Sequence, residues 1–68
     1  MKKIKIKTEY IKLDQFLKFT GVVSNGGEAK ILIIDGLAKV NGETELRRGR
    51  KLRLNDVVEF GDKEFVIV

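Results

Sequence analysis

Five basic residues packed into one short segment are the strongest chemical signal in this chain. This basic segment runs from Arg47 to Arg53 without an acidic residue and contains Arg47, Arg48, Arg50, Lys51 and Arg53. Like charges this close repel one another, so folding alone does not explain them, whereas a polyanion does, because cations beside phosphates release condensed counterions. Gly49 interrupts the run and predicts a turn. The segment indicates nucleic acid, and the alternative is a solvated loop that keeps the chain soluble.

The positive charge is local rather than general. The chain has 14 Lys and Arg residues against 10 Asp and Glu residues, a net charge of +4 over 68 residues. At that length we expect one domain, residues 1–68, near the size at which a single core only just suffices. Without cysteine, no disulfide can supplement that core.

The same inventory excludes most catalytic chemistry. There is no His and no Cys, and the only serine is Ser24, so neither a Ser-His or Cys-His nucleophile nor a His-based zinc site can be built. We therefore expect a binding module rather than an enzyme, with no metal and no cofactor. The longest apolar runs, Ile31–Ile34 and Phe65–Val68, are too short for a signal peptide or a membrane span, so a cytoplasmic location without a membrane partner is expected.

Two helices and several strands are predicted by the hydrophobic periodicity. The i, i+3, i+4, i+7 spacing of Leu13, Phe16, Leu17 and Thr20 predicts a first helix, which Gly21 ends. A second helix is predicted from about Gly27 to Asp35, with Ser24 or Asn25 as its cap and Gly36 as its stop. At least one glycine of the Gly26–Gly27 pair is expected to need a positive φ.

The remaining pattern is that of β-strands. The first predicted strand is a short one over residues 2–7. The others are Ala38–Val40 with an Asn41-Gly42 hairpin and a return over Glu43–Leu46, an alternating Leu52 and Leu54, and Val57–Phe60 and Glu64–Val68 after turns at Asn55-Asp56 and Gly61-Asp62. The predicted fold class is α+β, with two short helices packed on a small, mostly antiparallel β-sheet.

Three pieces of the chain resemble the S4 RNA-binding domain family. They are Lys12-Leu13-Asp14-Gln15-Phe16-Leu17, Ala29 to Gly36, and Gly36-Leu37-Ala38-Lys39-Val40-Asn41-Gly42, the last similar to the family's Gly-x-Val-x-Val-Asn-Gly hairpin. Gly26-Gly27, Ala29-Lys30 and the start of the basic segment are most similar to the small stand-alone bacterial members of the YaaA and YbcJ type. The resemblance implies an S4-like (αL-type) domain that binds structured RNA, with ribosomal RNA among the expected targets.

Two departures from the family pattern change the expected contacts. Lys12 stands where the family has Arg, which keeps the charge and loses the bidentate fork. Asn25-Gly26-Gly27 stands where typical members open the second helix with Ser/Thr-Arg, which leaves backbone N–H groups to hold a phosphate. The candidate RNA-binding residues are Lys12, Asn25, Gly26, Gly27, Lys30, Arg47, Arg48, Arg50 and Lys51.

The aromatic residues favour recognition of shape and phosphates over base stacking. Phe16, Phe60 and Phe65 fit core positions, which leaves Tyr10 and Phe19 as exposed rings. The competing hypothesis is a protein–protein adaptor, whose basic segment meets an acidic partner and whose Ile31 and Ile34 form an apolar anchor. Double-stranded DNA is a third hypothesis, weaker because no helix carries a line of basic residues. A monomer is expected.

Overall fold

Seven short strands and two helices make up the computed structural model, which describes residues 1–68. In chain order they are β1 Lys2–Ile4, β2 Ile11–Lys12, α1 Leu13–Phe19, α2 Gly26–Ile34, β3 Ala38–Val40, β4 Glu43–Thr44, β5 Lys51–Leu52, β6 Val57–Phe60 and β7 Lys63–Ile67. The predicted order of elements is confirmed except for β2, which the sequence did not predict, and β1 ends at Ile4 rather than at Lys7. The predicted helix limits, Leu13–Thr20 and Gly27–Asp35, are each within one residue of the observed ones. Neither helix has the length and apolar character needed to cross a membrane.

The strands form two separate sheets. Five of them pair in the order β1-β7-β6-β3-β4, and only the β1–β7 pair is parallel, with Lys2 opposite Phe65. The other two, β2 and β5, form an antiparallel ribbon with Ile11 opposite Leu52 and Lys12 opposite Lys51. The α+β class with a mostly antiparallel sheet is therefore confirmed, but the sequence did not predict the ribbon.

The core lies between the helices and the five-stranded sheet. At its centre the Phe16 ring of α1 packs edge-on against the Phe65 ring of β7, with centroids 5.6 Å apart. Both helices contribute fully buried side chains, and Leu52 of the ribbon is also fully buried. Phe60 is buried as well, so the prediction that Phe16, Phe60 and Phe65 belong to the core is confirmed.

Side-chain caps and glycines determine where α2 begins and ends. Asn25 is the N-cap, and its Oδ1 accepts the Glu28 N–H at 2.9 Å. Gly36 follows the helix at φ 85°, a conformation that costs glycine little. The expectation of a positive φ at Gly26 or Gly27 is wrong, because both residues lie in the first turn of α2 with ordinary backbone angles.

The Asn41-Gly42 hairpin is confirmed. Both residues have positive φ, 52° and 86°, as a two-residue type I′ turn requires. The Asn41 side chain also joins the hairpin to the next turn, because its Oδ1 accepts the Val57 N–H at 2.9 Å and its Nδ2 donates to Asp56 Oδ1 at 3.0 Å.

Two strand predictions are wrong near the basic segment. The strand after the hairpin ends at Thr44 rather than Leu46. The Glu45 N–H still donates to the Ala38 carbonyl at 2.9 Å, but the Arg47 N–H donates to Glu45 Oε2 at 3.1 Å instead of continuing the pairing with β3. Leu54 does not continue β5. It lies 65% exposed in a turn, where Asp56 Oδ2 accepts the Arg53 N–H at 2.8 Å.

Candidate nucleic-acid interface

The basic segment is attached to the beginning of α1 by its backbone. The Leu13 N–H donates to the Arg50 carbonyl at 2.8 Å, and the Asp14 N–H donates to the Arg48 carbonyl at 3.0 Å. The next N–H, that of Gln15, donates to Asp14 Oδ1 at 2.8 Å. The backbone N–H groups at the start of this short helix thus all have acceptors within the protein. The same hydrogen bonds fix the backbone that carries the basic side chains.

Glu45 anchors two of the arginines. Its carboxylate is buried and accepts three hydrogen bonds, from Arg47 Nε at 2.9 Å, Arg47 Nη2 at 3.1 Å and Arg50 Nη1 at 2.8 Å. These hydrogen bonds, those from Arg47 first, lower the pKa of Glu45 from 4.5 to about 2, although burial opposes the change. The same contacts raise the pKa of Arg47. Both groups are therefore charged at neutral pH.

The guanidinium groups held by Glu45 still reach solvent. The Arg47 side chain is 74% exposed and that of Arg50 is 33% exposed. Arg47, Gly49, Arg50 and Lys51 line an open depression of about 530 Å³ that has no hydrophobic lining residue. A surface depression walled by cations suits an anion better than an apolar ligand.

The ribbon brings Lys12 to the basic segment. Lys12 lies directly opposite Lys51 in the β2–β5 pair, and neither lysine forms an ion pair within the protein. Like charges at directly opposed positions destabilise a strand pair, so an anion between them would relieve a repulsion. Five candidate residues thus lie together and are called the basic cluster: Lys12, Arg47, Arg48, Arg50 and Lys51.

Tyr10 belongs to the same surface and was not among the predicted site residues. The Lys51 Nζ atom lies 4.8 Å from the centroid of its ring, and the Arg53 Cζ atom lies 5.6 Å from it. Arg53 also contacts Glu9 at 3.3 Å. The sequence shows an aromatic residue before a predicted helix, but only the ribbon register puts it beside Lys51.

The other four predicted residues lie at the start of α2. Asn25 Oδ1 is occupied as the helix cap, and Glu28 Oε1 accepts the Ser24 N–H at 2.7 Å. The N–H groups of Gly26 and Gly27 have no acceptor within the protein. Lys30 is exposed and forms no ion pair. This turn therefore offers two unpaired backbone donors and one cation.

The segments that carry the two groups bond to different turns of α1. The basic segment bonds to its first turn, whereas the Val23 N–H, two residues before Asn25, donates to the Leu17 carbonyl in its last turn at 3.4 Å. No hydrogen bond or ion pair joins the two groups.

Comparison with known proteins gives the relatives of this chain. A family model described as "S4 domain" matches residues 4–68. The "Probable ribosome maturation protein RlbA" of Bacillus subtilis (strain 168) is 50% identical over 56 residues, which cover 82% of this chain and 79% of that protein.

Two solved structures have the same fold. The solution structure of YbcJ from E. coli, described as revealing an ALFAL motif involved in RNA-binding, has a TM-score of 0.75 and 30% identity, over all of this chain and 87% of that one. The 30S ribosomal protein S4e of Thermoplasma acidophilum has a TM-score of 0.68 and 23% identity over 91% of this chain. This chain spans only 33% of the S4e chain, and that likeness concerns the fold alone.

Proposed function

The chain belongs to the S4 domain family, and from this membership we propose that it is a non-catalytic protein that binds structured RNA, ribosomal RNA in particular. RlbA, at 50% identity, is named as a probable ribosome maturation protein, and YbcJ is described with a motif involved in RNA-binding. We further propose that residues 1–68 act as one S4-like domain, as a monomer in the cytoplasm, without a metal or cofactor.

The observation that carries the proposal is the arrangement of the basic cluster. Lys12, Arg48 and Lys51 have no acidic partner, and their backbone is held by β2–β5 pairing and by the two bonds to the start of α1. Because the backbone is already fixed, binding a phosphate backbone costs conformational freedom only in these side chains. The basic cluster would form one wall of the RNA site.

The second wall is the start of α2. The unpaired N–H groups of Gly26 and Gly27 point from the positive end of the helix dipole, where phosphates bind readily. Lys30 adds a charge, and Asn25 contributes by holding the turn through its cap. An RNA backbone several nucleotides long would contact both walls.

A fluorescence anisotropy titration tests the proposal. A stem-loop RNA, a matched single strand and a matched DNA duplex are titrated at two salt concentrations, and we expect tightest, salt-sensitive binding to the stem-loop. Arg48→Glu should weaken binding to every RNA. Lys5→Glu is the matched control, because Lys5 is exposed, lies outside the strands and forms no ion pair. Equal binding of all three nucleic acids, or unchanged binding by Arg48→Glu, would refute the proposal.

An adaptor function is the second candidate, and the exposure of two residues on α2 favours it. Ile31 is 62% exposed and Ile34 is 59% exposed. An adaptor would bind no RNA at physiological salt, and Ile31→Asp would release an acidic protein partner in a pulldown. Retention of RNA binding by Ile31→Asp would favour the RNA-binding function.

A further inference from the structure

The exposed face of the β2–β5 ribbon carries one aromatic ring among cations. In an antiparallel pair, opposed residues share a face, and the face alternates at each step along the strands. The pair of Ile11 and Leu52 lies beside that of Lys12 and Lys51, and Leu52 is fully buried. One step further, Tyr10 and Arg53 therefore return to the exposed face of the two lysines.

The contacts of Tyr10 agree with this register. Lys51 Nζ at 4.8 Å and Arg53 Cζ at 5.6 Å both lie within the roughly 6 Å at which a cation is attracted to a ring. Both cations lie over the ring, so a base that stacks on the covered face must displace them toward its phosphates. Tyr10 as a whole residue is 36% exposed. Lys51 also lines the depression of the basic segment, so the ring adjoins the proposed phosphate site.

Phe19 shows that an exposed aromatic ring alone does not make a binding surface for a nucleotide. It is more exposed than Tyr10, at 63%, but no Lys or Arg lies over its ring. A nucleotide has an apolar base beside a charged phosphate, so the surface that fits it combines a ring with cations. Tyr10 meets both conditions and Phe19 meets one.

We propose that Tyr10 is a stacking platform for one unpaired nucleobase of the bound RNA, with Lys51 and Arg53 on the phosphates that flank that base. This proposal rests on the RNA-binding function proposed above and narrows its ligand. Bases inside a duplex are stacked on each other and unavailable to a side chain. The RNA is therefore a folded RNA that carries a bulged or looped-out base next to a paired region.

Two hairpins of equal phosphate count test the platform. One has a single bulged nucleotide, and the other has an abasic residue at the same bulge. Wild-type protein is expected to bind the bulged base at least about fivefold more tightly, the lower end of what stacking on one aromatic ring contributes. Tyr10→Leu should lose that preference while keeping salt-dependent binding to the abasic hairpin. Tyr10→Phe, which keeps the ring, should retain it, and so should Phe19→Leu.

A second readout needs no substitution that could unfold the protein. The chain has one Tyr and no Trp, so incorporated fluorotyrosine gives a single fluorine NMR signal that reports on Tyr10. That signal should shift on addition of the bulged hairpin and shift much less with the abasic hairpin. Excess free nucleoside monophosphate should not displace the bulged hairpin, because it lacks the flanking phosphates and the paired region.

The outcomes separate the two proposals. Salt-sensitive binding of both hairpins with equal affinity and equal fluorine shifts would overturn the platform and leave the RNA-binding function standing. A base preference that persists in Tyr10→Leu, or full displacement by the free nucleotide, would also overturn it. Binding to neither hairpin would refute the RNA-binding function and the platform with it.

Discussion

At the scale of single residues, the buried carboxylate of Glu45 decides how two arginines are presented. It ties Arg47 and Arg50 to the protein and leaves Arg48 and Lys51 without an acidic partner. Two cations around one carboxylate keep a net positive charge, so the anchor does not abolish attraction for an anion. Glu45 is thus a positioning residue for the proposed RNA site.

Replacing Glu45 with Gln should lower the free energy of unfolding at neutral pH by about 1–2 kcal/mol. Charge-assisted hydrogen bonds would become neutral ones, and the exposure of Arg47 to solvent limits the loss. Because the folded-state pKa lies below the ordinary value, the contribution of Glu45 is complete above pH 4.5 and is lost as the pH falls through about 2. The wild type and Glu45→Gln should therefore converge in stability over that interval.

Urea unfolding at a series of pH values measures this difference. Glu43→Gln is the matched control, because Glu43 is exposed and forms no ion pair. A constant gap between wild type and Glu45→Gln down to the lowest pH would show that the carboxylate charge is not the cause.

At the scale of elements, α2 begins with two glycines where helix stability alone would favour other residues. Gly26 has no positive φ, and a Cβ placed on it would meet no atom within 4 Å. Glycine in a position that alanine could occupy costs stability through the entropy of the unfolded chain. Close approach of a phosphate to the backbone N–H groups gives a reason to keep it.

Gly26→Ala is therefore expected to change stability and binding in opposite directions. The free energy of unfolding should rise by roughly 0.4–1 kcal/mol, while RNA affinity should fall because the new Cβ crowds the phosphate. Thermal unfolding and anisotropy measure the two effects. Gly27→Ala should gain less stability, because its Cβ would lie 3.3 Å from Asn25 Oδ1. Unchanged RNA affinity in Gly26→Ala would remove the start of α2 from the site.

At the scale of the whole molecule, the net charge resides in one place. The basic cluster contributes five cations and Glu45 one anion, which together equal the net +4 of the chain. The nine other basic residues are balanced by nine other acidic residues. An approaching polyanion is therefore attracted mainly to the surface formed by the ribbon and the basic segment.

The salt dependence of RNA binding should show how many phosphates this surface neutralises. If three or four phosphates are neutralised, log K should fall against log salt with a slope of about −2 to −4, at roughly −0.7 to −0.9 per phosphate. Arg48→Ala should reduce the magnitude of the slope by about 1, and Lys39→Ala should leave it unchanged. An equal change in both variants would mean that charge acts without a defined site.

Much of this protein is predictable from its sequence, because the features concerned are local. Hydrophobic spacing and glycine stops locate the helices, Asn41-Gly42 specifies its own turn, and the motifs identify the S4 family, all of which are confirmed. The assignment of RNA contacts to nine residues stays a prediction.

Only the tertiary structure decided how the site is assembled. The pairing of Ile11–Lys12 with Lys51–Leu52 brings Lys12 and Tyr10 to the basic segment, and the inward turn of Glu45 selects which arginines are held. Neither follows from neighbouring residues, because strand register and side-chain burial depend on how distant segments pack against one core. Local chemistry determines the helices and the Asn41-Gly42 hairpin of this chain, and long-range packing determines the β2–β5 ribbon and which side chains meet.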